Sequence, residues 1–271
     1  MRRAGVQGAF DQATAVRPAG PGSWLATCDT SWSTPRGPNG GYLAAIVLRA
    51  MLAEVADPAR EPRSLTLHYL RPPADGELAV EVDVERTGRS LTSLSARVSQ
   101  DGRLCILALA ALAVERQSVM DYAATPPAVP PPEAIEPMPL RDPAPSVARR
   151  FEVRPAVGAA PFSGAGEALT GGWLRFAEPR PLDALALAMY ADAWLPAPFT
   201  RLTGPAGAPT IDLTVHFRAP AAAAVVTADE PVLAVFRSST SGGGFFEEDG
   251  ELWSRAGVLL AHSRQLALLT R

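Results

Sequence analysis

Lysine is missing altogether from the 271 residues, so all 25 basic side chains are arginines. Against 28 acidic residues they leave a net charge of −3 and a pI near 5.7. No overall positive field exists to gather a nucleic acid or an anionic membrane, and neither is expected as a partner. Cysteine is almost as scarce. Cys28 and Cys105 stand far apart, outside any CxxC or Cys/His cluster, so neither a disulfide framework nor a zinc site is expected, and no cofactor is implied. Nowhere do about 18 apolar residues run together as a membrane span requires. The two arginines of MRRAGVQGAF are followed by no apolar leader segment. These absences together point to a reducing, aqueous compartment, and the expected location is the cytoplasm.

What the chain does have is apolar content, 47%, enough for one large core or two smaller ones. It also has one run, TPPAVPPPEAIEPMPLRDPAP over residues 125–145, so dense in proline that neither a helix nor a central strand can pass through it. This reads as an extended linker, and the stretches on either side resemble each other. SLTLHYLRPP (residues 64–73) matches IDLTVHFRAP (residues 211–220) in length, rhythm and ending. Each is preceded by an apolar run of helical period, GGYLAAIVLRAMLAEVAD and PLDALALAMYADAW. Each is followed by segments alternating with period two, and Gly102 and Gly257 fall at equivalent turns.

Each copy therefore reads as a short hairpin, one long apolar helix and three or four antiparallel strands. A helix apolar on nearly all faces must be buried, and only the sheet is available to cover it. The expected fold class is α+β, a double hotdog whose two antiparallel sheets each wrap a long central helix and pair edge to edge. The expected division is a first repeat over residues 1–120, a proline-rich linker over 121–148, and a second repeat over 149–271.

GPNGGYLAAIVLRA, HYLRPP with ERTGRSLTSLSARVSQDGR, and in the second half YADAWLP, PTIDLTVHFRAP and LLAHSRQLALL together resemble the type II acyl-CoA thioesterase family, whose members are double hotdogs. The resemblance implies an acyl-CoA substrate, a homodimer or larger homo-oligomer, and three catalytic residues: Asp192 near the end of the second helix, Thr210 opening the next strand, and Gln265 in the last strand. Water can attack a thioester directly if a carboxylate takes its proton and neutral polar groups fix its position. Asp192 has the chemistry of the base, and Thr210 and Gln265 that of the positioning groups. Gly40 and Gly41, opening the first helix, are expected to offer their amides to the oxyanion and substrate, since a helix start has free donors and a positive dipole end.

The repeat supplies an internal comparison. In the first copy Asp192 corresponds to Ala50, Thr210 to Arg63 and Gln265 to Ala110, so one site per chain is expected, in the second copy. An aspartate in ALALAMYADAW is costly to bury without a use. Taken singly, Thr210 is an ordinary strand opener and Gln265 could face solvent. His68, His216 and His262 lie in strand-like segments and read as structural. The run EEDGE (residues 247–251) reads as a solvated turn. A hydratase needs a histidine near a helix start, and none lies near Gly40 or Pro181. The remaining alternative to hydrolysis is a non-catalytic acyl-CoA or lipid-binding module.

Overall fold

The computed structural model describes residues 8–140, 142–219, 227 and 230–271; Pro220, the last residue of the second repeated motif, lies outside them. In the first half a short helix α1 (Ala9–Ala13) precedes the hairpin of β1 (Val16–Gly20) and β2 (Ser23–Cys28). A two-residue ladder, β3 (Ser33–Thr34) with β4 (Gly37–Pro38), leads into α2 (Gly40–Val55). Four strands follow: β5 (Glu61–Tyr69), β6 (Gly76–Thr87), β7 (Leu91–Gln100) and β8 (Arg103–Ala113). The second half repeats the plan with β9 (Phe151–Gly158), β10 (Ala168–Phe176), α3 (Ala184–Tyr190), β11 (Thr210–Phe217), β12 (Val232–Ser238), β13 (Ser241–Gly242), β14 (Phe245–Trp253) and β15 (Leu259–Leu268).

The two sheets expected from the sequence are joined into one antiparallel sheet, in the order β1-β2-β6-β7-β8-β5-β11-β15-β14-β12-β10-β9. The seam is β5 against β11, where Thr66 faces Thr214 in register and their hydroxyls lie 3.0 Å apart. Outward from this seam the two halves give matching strands in matching order. Gly102 and Gly257 both have left-handed φ, 72° and 81°, at the β7–β8 and β14–β15 turns. Glycine reaches that region without the steric cost a side chain brings.

Burial fixes the frame of the repeat. Leu65 and Leu67 are buried in β5 as Leu213 and Val215 are in β11, and Thr66 matches Thr214. Thr210, four residues before Thr214, therefore corresponds to Pro62 and not to Arg63. The matching prolines of the two motifs mislead by one residue, and a one-residue slip turns every side chain to the other face.

Asn39 caps α2 by accepting a hydrogen bond from the Tyr42 amide, and the helix stops at Ala56, whose φ is 51°. Residues 41–48 of α2 are all buried, and the helix touches every long strand of its half. The second helix differs from expectation. Capped by Asp183, α3 runs only seven residues and packs mainly on α2 and β11. Beyond Tyr190 the chain tightens: Asp192 N–H bonds to the Met189 carbonyl three residues back, and the Asp192 carbonyl accepts from the Asn39 side chain at 2.7 Å. A continuing helix would need that carbonyl itself.

The proline-rich segment carries two short 3-10 turns, Pro132–Ala134 and Ser146–Arg150, and it is not a free spacer. Val129 and Ile135 pack against Trp173, Leu233, Val235 and Trp253, while Trp173 Nε1 donates to the Pro130 carbonyl and Arg154 to those of Pro132 and Ile135. This explains why five successive residues of β12 are buried, on both faces of the strand. Among the described residues no helix is long and apolar enough to cross a membrane.

The α2–α3 contact generates a test. A Cβ on Gly41 would lie 2.5 Å from the Met189 carbonyl oxygen and 2.9 Å from that of Ala188, backbone atoms that cannot turn away. Overpacking of this kind costs about 1–3 kcal/mol, more than the gain of up to about 1 kcal/mol in helix propensity from replacing glycine with alanine. Gly41→Ala is expected to lower the urea midpoint of unfolding.

Candidate active site

The expected site residues come from both halves. From the second half, the Asp192 carboxylate reaches the start of α2 in the first: Oδ2 accepts from Gly41 N at 3.2 Å and from Asn39 Nδ2 at 3.1 Å, and the Gly40 amide is directed at it as well. The contact requires glycine, since a Cβ on Gly40 would sit 2.9 Å from that same oxygen. Tyr69, from β5, closes the other side by donating to the Gly40 carbonyl at 2.8 Å. Burial pushes Asp192 up to about 6, although the two glycine amides oppose the shift. The Tyr69 hydroxyl is held well above its ordinary range by its own burial and by the Asp192 charge.

Thr210 and Gln265 are brought together directly. Thr210 opens β11, Gln265 lies on the neighbouring β15, and Thr210 Oγ1 donates to Gln265 Oε1 at 3.0 Å. Alternation along β15 turns Ser263, Gln265 and Ala267 inward, so Gln265 is 6% exposed and does not face solvent.

The sequence reading missed Glu248. EEDGE is no solvated turn but the middle of β14, in which Phe246, Glu248, Gly250 and Leu252 form the inward row. Gly250 is small because Ser263 Oγ and the Phe236 ring occupy the space a Cβ would take. Glu248 is 3% exposed and stands in register with Gln265. Its Oε1 accepts from Gln265 Nε2 at 2.8 Å and its Oε2 from the Ala197 amide at 2.5 Å. Burial, and next the charges of Asp192 and Glu247, push it up to about 7 against the pull of those two donors. The alternation of Phe246, Gly250 and Leu252 was the available signal.

Thr210, Gln265 and Glu248 thus form one hydrogen-bonded chain, and Asp192 is coupled to it through its charge on Glu248. Among the described residues no hydrogen bond links Asp192 directly to the other three. Gly40 and Gly41, expected to receive an oxyanion, here hold Asp192. The histidines stay outside the site: His68 and His216 are exposed and His262 half-buried. No group of three or more His, Cys, Asp or Glu suited to a metal ion occurs among the described residues.

The pseudo-twofold carries this site to the opposite end of the helix pair, where a cleft of about 230 Å³ is lined by Leu52, Pro62, Arg63, Asp183, Leu187 and Phe217. There Pro62 stands for Thr210. Ala110, which pairs with Leu65 as Gln265 pairs with Leu213, stands for Gln265. Leu94, facing Ala110 as Glu248 faces Gln265, stands for Glu248.

Comparison with known proteins bears on both halves. No curated protein matches the chain in sequence. Among solved structures, a conserved protein of unknown function with a hot dog fold from Alicyclobacillus acidocaldarius is 29% identical, with a TM-score of 0.89 over 98% of this chain and 99% of that one. A candidate thioesterase II from Thermobifida fusca is 26% identical, with a TM-score of 0.82 over 97% and 98%. An acyl-CoA thioesterase II from Mycobacterium marinum, 21% identical with a TM-score of 0.78 over 96% and 98%, shares the fold. Residues 28–114 match the acyl-CoA thioesterase N-terminal domain and residues 126–269 the acyl-CoA thioesterase C-terminal domain. With both of its domains present in order along one chain, this protein belongs to the acyl-CoA thioesterase family of type II, hot-dog thioesterases.

Proposed function

We propose that the chain hydrolyses acyl-CoA to a free fatty acid and CoA through water activated by Asp192, at one site per chain. The observation that carries this reading is the half-buried Asp192 carboxylate at the start of α2, coupled by its charge on Glu248 to an inward-facing Thr210–Gln265 pair that the sister half lacks. A carboxylate pushed up to about 6 is ionised at neutral pH, yet basic enough to take a proton from attacking water. In the proposed step water gives a proton to Asp192 as its oxygen bonds to the thioester carbon. The resulting oxyanion meets the Gly40 and Gly41 amides, which the substrate competes for with Asp192. Collapse of the tetrahedral intermediate breaks the C–S bond, and the proton leaves with the CoA thiolate.

The exposed Arg36 sits between the loops leading to Gly40 and Thr210: a Cβ on Gly207 would lie 2.7 Å from its Nε. This position supports a contact with the phosphates of CoA. The same reading includes repeats over residues 1–120 and 149–271 joined by 121–148, a cytoplasmic setting consistent with free Cys28 and Cys105, and a homodimer or larger homo-oligomer.

Thiol release from a panel of saturated acyl-CoAs tests the proposal. Asp192→Asn is expected to lower kcat by about a hundredfold or more, as loss of a general base does; a rate equal to the wild type's would remove Asp192 from the chemistry. The base works only without its proton, so the rate should fall as pH drops through about 6, where Asp192 protonates, and not near 4 as for an exposed aspartate. A kcat profile flat from pH 5 to 8 would contradict this. Arg36→Glu is expected to raise KM several-fold at little change in kcat, read from saturation curves in low salt.

A further inference from the structure

Glu248 has no place in the reaction above, and its position is hard to explain by packing. It is 3% exposed, and among the described residues no cation pairs with it. The fold has no need of a carboxylate there, since the sister position holds Leu94, 1% exposed, at the same register point of the same strand pair. A buried carboxylate where an apolar residue serves equally well is costly, and such costs concentrate at functional sites.

Its hydrogen bonds have a fixed direction. The Ala197 N–H can only donate, so Glu248 Oε2 must accept. Ionised, Oε1 must accept as well, which obliges Gln265 to present its NH2 to Glu248 and its carbonyl oxygen to Thr210. The Thr210 hydroxyl is then committed as a donor to Gln265, and only its lone pairs remain to face the site. Attacking water needs acceptors for its two hydrogens, so that its own lone pair is free for the thioester carbon. A Thr210 that only accepts, together with the Asp192 carboxylate, meets that need.

We propose that Glu248 is a positioning residue that sets the orientation of the Gln265 amide, and through it makes the Thr210 hydroxyl an acceptor for the attacking water. The charged and titratable groups facing Glu248 are Asp192, from the turn after α3, and Glu247 beside it on β14; the other facing contacts are the Ala197 amide and Gln265. The inference rests on the hydrolytic reading and adds to it the direction of the hydrogen-bond chain.

Glu248→Gln reverses that direction at constant size. The new carboxamide must turn its oxygen to Ala197 N–H and its NH2 to Gln265, which then turns its own NH2 to Thr210. The freed Thr210 hydroxyl donates to the water's lone pair, the one that must attack. With the acyl-CoA that the wild type turns over fastest, Glu248→Gln is expected to lower kcat about tenfold or more with KM within about twofold, and the same substitution in a Gln265→Ala background is expected to cause no further loss, because residues acting through one another are not additive. Glu248→Leu, which copies the sister half, should fold, and its kcat should fall likewise; it is read in place of Glu248→Gln should that variant not fold. A folded Glu248→Gln or Glu248→Leu protein with wild-type kcat, or a full further loss in the Gln265→Ala background, overturns the proposal while leaving Asp192 as the base. A wild type that releases thiol no faster than Asp192→Asn removes the hydrolytic reading and this inference with it.

Discussion

The carboxylate of Asp192, supplied by the second half, is held by the amides of Gly40 and Gly41 at the helix start of the first, and much of the architecture serves that contact. Both glycines are required, one because Asp192 Oδ2 fills the space of its Cβ and the other because the α3 carbonyls do. Asn39 caps α2 with its oxygen and takes Asp192 with its nitrogen, so a single side chain ends one element and bends another. The helix dipole favours the ionised carboxylate while burial disfavours it. Burial wins, and the group is left poised near neutrality with no cation beside it among the described residues.

Chemistry of this kind depends on a dry, fixed surrounding. The inner face of the sheet provides it, with Leu65, Leu67, Leu213 and Val215 at the seam and α2 packed across its half. Thr210, Gln265 and Glu248 form a polar row across three strands of that face, each adjacent to the next through β15. Because the residues are in sheet register, their distances are set by strand spacing and not by loop conformation. Asp192 alone comes from a turn, and that turn is tied down by Asn39 and by the Ala197 amide bound to Glu248.

Much of this could be read from the chain. The repeat, the burial of the first helix and the convergence of Thr210 and Gln265 follow from pattern and resemblance, since apolar periodicity and motif order are local properties. The failures have physical causes. Apolar character continues past Tyr190 through Ala191, Ala193 and Trp194, so periodicity extends a helix that Asn39, far away in sequence, cuts short. EEDG has the composition of a turn, and only the alternation of Phe246, Gly250 and Leu252 reveals a strand with one acid turned inward. The one-residue slip that set Arg63 opposite Thr210 arose from aligning prolines at a strand end, where the chain is irregular, in place of the leucines in its middle. The linker's docking onto Trp173 and Trp253 depends on tertiary contacts that its proline content does not encode.

Fusing the two halves across the β5–β11 seam also changes what burial costs. Two identical hotdog chains related by a true dyad would bury every acid of the inner face twice over. Covalent joining breaks that equivalence: Leu94 and Ala110 keep the sister half apolar, and a single pair of desolvated carboxylates has to be supported by the whole core. Asymmetry of this sort is closed to a homodimer of single hotdogs and open to a chain whose two halves carry different residues.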